Sequence, residues 1–193
     1  MLLKNLLIKN RSYRTFYQEG IPIETLLDIM ENTRLCPSAR NSQTLRYFII
    51  NSETFINKVF PLTKWAGAIP WNPSIEESPV AYILISSKSK SPLPDLTLGI
   101  DIGIVAQTIL LSATELGLGG CLLGAFDKKS LEKLLELPEN EYNHHLLVAL
   151  GHPKDKSTIV KAESNNLSYF RDIKNYENFV PKLDLKELIL GIY

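Results

Sequence analysis

Two arginines and a serine within four residues, Arg11, Ser12 and Arg14 in the run RSYR, are the side chains best suited to holding a phosphate. Two guanidinium forks and a hydroxyl can converge on one tetrahedral anion through charge-assisted hydrogen bonds. The alternative is a solvated helix end whose cations favour the negative pole of the helix dipole. Spacing leaves both open, and it also leaves open whether Lys182, in VPKL, adds a third cation or merely precedes the last helix.

The loop from Cys36 to Phe48, CPSARNSQTLRYF, has the composition of a wrap around a flat polar ring such as a flavin. Pro37 ends the preceding helix, Ser38 and Ala39 let the backbone come close, and Asn41 and Gln43 carry paired donors and acceptors. Alone, a loop of this composition is more often a polar surface connection. The run GLGGCLLG, Gly117 to Gly124, places four glycines in eight residues directly after the most apolar helix. Gly117 is accounted for as a left-handed helix cap, and the others suggest a loop whose main-chain N–H groups bond a ligand. Neither the Walker nor the dinucleotide spacing is present.

Other candidates read as structural. Asp101, on an apolar helix with Gln107, has the character of a paired buried acid. His144, His145 and His152 lack metal-site spacing, and adjacent strand residues 144 and 145 are expected on opposite faces. Cys36 and Cys121 are too few for a disulfide scaffold, so they fit burial and a reducing, cytoplasmic compartment. Trp65, Trp71, Tyr13 and Phe126 either stack on a planar substrate or fill a core, with Trp71 the better lid contact.

The elements that must position these residues alternate. Leu3, Leu6 and Leu7 predict a short helix ending at the basic cluster, and Ile23, Leu26, Leu27 and Met30 a second behind Pro22. Strands are predicted over Tyr47–Ile50, Val80–Ile85 and His145–Leu150, with a short helix from Ser52 to Phe60. A central helix runs from about Leu96 to Gly117, another from the Asp127 N-cap through Glu136, and a last one from Asp184. KWAGAIPWNPSIEESP reads as an ordered lid. The result is an α+β sheet flanked by helices in one domain, 1–193. The tail from Ala162 to Asn178 is polar and loosely patterned, so it is expected to find its contacts across a partner subunit.

Lys+Arg and Asp+Glu both number 21, so the zero net charge supplies no general field for nucleic acid or an anionic membrane. Ile100–Leu111, interrupted by Asp101 and Gln107, falls short of the ~20 residues of a membrane span. The N-terminal MLLKNLLIKNRSYR is interrupted by Lys4, Asn5 and Lys9 and reads as a helix, not a targeting segment.

The order of RSYRTF, PSARNSQ, DIGIVAQTILLSATELGLGGC and ALGHP resembles the FMN-dependent nitroreductase family over nearly the whole chain. KWAGAIPW, ESPVAYILI, YFRD and VPKL are similar to a short branch from anaerobic bacteria. The resemblance implies a central, mostly antiparallel sheet in an intertwined homodimer with two FMN sites. It also implies a C-terminal extension, about 162–193, reaching the other subunit. Arg11, Ser12, Arg14 and Lys182 would hold the FMN phosphate. Ser38, Ala39, Asn41 and Gln43 would touch the isoalloxazine, partly in trans, and Leu122, Leu123 and Gly124 would line it with backbone groups.

The implied activity is transfer of electrons from NADH or NADPH through FMN to a nitroaromatic, quinone or similar small acceptor, with no catalytic side chain required. The alternatives are a flavin-binding or redox-sensing module without turnover, and another flavin reaction, dehalogenation or flavin breakdown. Three positions depart from the family pattern: Asn10 and Leu183 where arginine is common, and Thr44 where proline usually follows Gln43. Each lost charged hydrogen bond is worth roughly 1.5–3 kcal/mol, so weakened FMN affinity is expected.

Overall fold

Strand β3, Ala81–Lys88, is buried along all but its last residue and forms the middle of the molecule. Its β-branched and aromatic residues suit a doubly covered strand. In the computed structural model, which describes residues 2–65, 67, 69–163 and 166–193, β3 pairs antiparallel with β2, Leu45–Ile50, and with β5, Tyr142–Pro153. Ala149 of β5 lies opposite both Tyr82 and Cys121, so β4, Gly119–Leu123, runs antiparallel along the other edge of β5. The short β1, Phe16–Tyr17, pairs with the end of β5 and completes a five-stranded sheet.

The two-residue period of β3 divides the core. Ala81, Ile83 and Ile85 meet Leu26 and Ile29 of α2, Ile23–Arg34, and Val105, Ala106 and Ile109 of α4, Asp95–Glu115. Tyr82 and Leu84 face the opposite side, with Ile56 and Val59 of α3, Glu53–Val59, and Leu131 of α5, Lys128–Leu134. This is the α+β arrangement of a mostly antiparallel sheet between helices.

Helix α4 exceeds the apolar stretch expected from the sequence: its 21 residues are long and apolar enough, by length and composition, to cross a membrane. It nevertheless buries Val105, Ala106, Ile109 and Ala113 against the sheet of its own chain. Gly117 at φ 81 closes it, as a left-handed glycine cap should. α1, Leu3–Lys9, buries no residue within the chain.

A second sheet forms from β6, Lys156–Lys161, β8, Glu177–Lys182, and β7, Phe170–Asp172, with β6 and β8 parallel. Much of the polar tail therefore pairs within its own chain. α6, Leu185–Leu188, follows behind an Asp184–Glu187 capping box. The lid stretch packs Trp65, Ile69 and Trp71 onto the second core face, while Ala66 and Ala68 lie outside the described residues, as do Ser164 and Asn165 of the tail.

Candidate functional site

Arg11, Ser12 and Arg14 run beside β4, where the Tyr13 N–H donates to the Gly120 carbonyl at 2.9 Å. This places them at the mouth of a cleft of about 390 Å³ shared with Leu122 of β4 and Lys182 of β8. The volume lies within the ~300–1,000 Å³ of small-molecule sites. Arg11 also satisfies the helix-end alternative, since its Nη2 donates to the Leu7 carbonyl of α1 at 2.8 Å. One side chain does both, because the C-terminal end of α1 forms a wall of the cleft. Arg14 rests its guanidinium 5.3 Å over the Tyr169 ring.

Among the described residues, Arg11, Arg14 and Lys182 make no ion pair with a carboxylate. The buried Nε of Arg11 has no hydrogen-bond partner among the described residues. Three cations sharing one cleft without counter-ions form the donor set an anion requires, and a phosphate fits it. Asn10, buried where the family pattern has arginine, lines the same cleft.

The Cys36–Phe48 loop faces a different space. Ser38 and Gln43 line a smaller cleft of about 150 Å³ with Tyr47 and Asp101, and Ala39 and Asn41 line neither. α4 separates the two, contributing Asp101 and Val105 to one and Gln107 and Leu110 to the other. Asp101, an acid set aside as structural, holds the loop: its carboxyl oxygens accept the Ala39 N–H at 3.0 and 3.2 Å. Arg40, Asn41 and Gln43 take φ values of 55, 52 and 46, a left-handed cluster without glycine. Such residues cost about 1–3 kcal/mol each and collect at ligand sites. Ser42 Oγ and Thr44 Oγ1 are buried there without hydrogen-bond partners among the described residues. Burial pushes the Tyr47 hydroxyl up to about 12, with Cys36 and Asp101 adding and Arg46 opposing, so it is a donor at neutral pH.

The glycine run is not the loop its composition suggests. Gly119 to Leu123 is strand β4, and the close approach is made by the protein itself. A Cβ on Gly119 would lie 2.4 Å from Tyr13 Cδ2, and one on Gly120 2.4 Å from the Ala149 carbonyl oxygen. Leu122 opens to the cationic cleft, whereas the Leu123 side chain is buried in the second core. Gly124 has open space above its Cα.

Three further residues hold the cleft together. Asp155, just before β6, accepts the Arg14 N–H at 2.9 Å and the Thr15 N–H at 3.1 Å, and pairs with Arg171 at 2.7 Å. Asn178 accepts from Arg171 at 3.0 Å. The signal in the sequence is slight: Arg171 falls in the stretch read as loosely patterned tail, and Asp155 lies ahead of that stretch outside any motif.

The remaining candidates are structural. His144 and His145 meet consecutive residues of β3, Ser86 and Ser87, whose side chains alternate between the two faces of the sheet. A β-bulge at Ile85/Ser86 leaves His145 without a register partner, and both imidazoles reach neighbouring hydroxyls, Ser86 and Ser87, at 2.8 Å. Among the described residues no group of three metal ligands gathers. Burial pushes the Cys121 thiol up, away from nucleophilic use, and the Cys36 thiol donates to Thr108 Oγ1 at 3.0 Å. Trp65, Trp71, Tyr13 and Phe126 pack on the second core, with Trp71 beneath the Arg171 guanidinium at 3.9 Å.

Comparison with known proteins bears on what this cleft serves. An NADH dehydrogenase/NAD(P)H nitroreductase of Archaeoglobus fulgidus is 26% identical over 79% of this chain and 86% of its own. An FMN reductase [NAD(P)H] of Bacillus subtilis is 31% identical over 78% of this chain and 66% of its own. The fold is shared with a Desulfovibrio desulfuricans nitroreductase crystallised with FMN, at a TM-score of 0.71 and 21% identity, covering 100% of this chain and 98% of that one. The nitroreductase family model matches residues 7–152, from the end of α1 through the last strand of the main sheet, and the chain belongs to the nitroreductase family.

Proposed function

We propose that the chain is an FMN-dependent oxidoreductase that takes electrons from NADH or NADPH and delivers them to a small acceptor such as a nitroaromatic or quinone. The observation that carries this reading is the cleft of Arg11, Ser12, Arg14 and Lys182, three cations without a counter-ion among the described residues, around a space of ligand size. FMN, when bound, supplies hydride acceptance and onward electron transfer. Arg11, Arg14, Lys182 and the Ser12 hydroxyl hold its phosphate by charge-assisted bonds. Leu122 gives an apolar surface, and Gly124 leaves main chain open for approach. Leu123 contributes backbone only, its side chain being committed to the core.

Ser38, Ala39, Asn41 and Gln43 complete the site from a second copy, which accounts for their distance from the cationic cleft within one chain. A homodimer also accounts for the exposed Leu3, Leu7 and Ile8 of α1, Leu96 and Ile100 of α4, and Leu188 and Leu190 of the tail. The residues beyond β8 then reach the partner. Free Cys36 and Cys121 suit a cytoplasmic setting.

Purified protein is expected to be yellow, with flavin absorption that bleaches on anaerobic addition of NADH or NADPH. Colourless protein that neither binds added FMN nor is reduced overturns the reading. Bound flavin without steady-state consumption of nicotinamide in the presence of nitroaromatic or quinone makes it a binding module instead.

A further inference from the structure

Resting on the assignment of the cationic cleft to the FMN phosphate, we propose that Asp155 is a positioning residue that aims Arg14 into that cleft. Its side chain is fully buried, and its two oxygens are shared between the two walls of the cleft. Toward the N-terminal wall, Oδ2 accepts the Arg14 and Thr15 N–H groups at 2.9 and 3.1 Å, and Oδ1 accepts the Thr15 hydroxyl at 2.6 Å. Toward the C-terminal wall, Oδ1 meets Arg171 Nη1 at 2.7 Å, and that nitrogen also donates to Asn178 Oδ1 at 3.0 Å.

The connection converges on Arg14 from both ends. Its backbone is fixed by Asp155, and its guanidinium lies over Tyr169, two residues before Arg171. Tyr169 and Asn178 themselves line the cleft. A free arginine samples many rotamers, and part of that freedom must be lost when it grips a phosphate. Pinning the backbone and seating the side chain on Tyr169 removes part of that cost before binding. The same carboxylate holds the β7–β8 hairpin against residues 14–15, so Tyr169, two residues before Arg171, stays beneath the Arg14 guanidinium.

The test compares FMN with riboflavin, which shares the ring but lacks the phosphate, by flavin fluorescence titration of the apoprotein. Asp155→Asn is expected to weaken FMN about tenfold and leave riboflavin unchanged. In an Arg14→Ala background the same substitution should cost no further FMN affinity, because its effect passes through Arg14. A packing role alone would weaken both ligands equally, or make the two losses add; either result, or unchanged FMN affinity, overturns the proposal. Because Asp155→Asn leaves Arg171 buried without its counter-charge, Thr15→Val serves as the milder probe. It removes the 2.6 Å bond and should give a smaller loss confined to FMN; an equal loss for riboflavin counts against Asp155. Wild-type protein that binds neither flavin overturns the cofactor reading itself and the proposal with it.

Discussion

The carboxyl group of Asp101, buried in α4, accepts the backbone N–H of Ala39 at 3.0 Å and so fastens the loop of the flat-ring candidates to the central helix. It does this where Arg40, Asn41 and Gln43 hold left-handed backbone angles, a conformation that needs an outside tether. Asp101→Leu strands the Ala39 N–H and is expected to cost about 1–3 kcal/mol, read as a lower urea midpoint with an unchanged slope. Asp101→Asn keeps an acceptor oxygen and should cost less than half as much.

Arg14 lies in the cationic cleft with no carboxylate partner among the described residues. Arg14→Ala should lower FMN affinity by roughly 10- to 100-fold, the worth of one charged hydrogen-bonded contact. Its salt dependence should also become shallower, since one fewer ion pair remains to be screened. Titrations at low and high salt measure both, and unchanged affinity would remove Arg14 from the phosphate site.

Gly120 and Gly124 separate packing from ligand approach. A Cβ on Gly120 would press to 2.4 Å from the Ala149 carbonyl and 2.7 Å from Leu110 Cδ2, whereas one on Gly124 meets nothing within 4 Å. Gly120→Ala is expected to destabilise by about 1–3 kcal/mol by forcing β4 away from β5. Gly124→Ala should leave the unfolding midpoint nearly unchanged. Thermal unfolding of the two variants side by side checks the contrast.

His144 is buried against Ser86, and burial lowers its imidazole below the ordinary histidine range, with Lys128 lowering it further and Glu132 opposing. A base lowered in the folded state binds its proton more tightly unfolded. Its contribution is therefore complete above about 6.5 and is lost as pH falls through the folded value. Stability should decline from pH 7 to pH 5, and His144→Asn should flatten that decline; urea midpoints at the two pH values decide it. His145, lowered also by burial, contributes in the same direction.

Residue type and order alone determined which local pieces exist and which of them carry charge. The periodicity of Ile23 to Met30, the apolar run after Val80, the Asp127 cap and the Gly117 stop each correspond to an element of the fold. These are short-range signals, set by side-chain spacing and backbone preference, so they survive being read one segment at a time. Arg11, Ser12 and Arg14 stood out for the same reason. What joins them to Lys182 is the pairing of β6 with β8 and the Asp155–Arg171 contact, which links residues 16 apart across the start of the loosely patterned tail. The glycines of β4 were conspicuous by composition, but only the approach of Tyr13, Pro153 and Ala149 explains them. Composition reports that something lies close to the backbone; the folded chain decides that, at Gly119 and Gly120, this something is the protein itself.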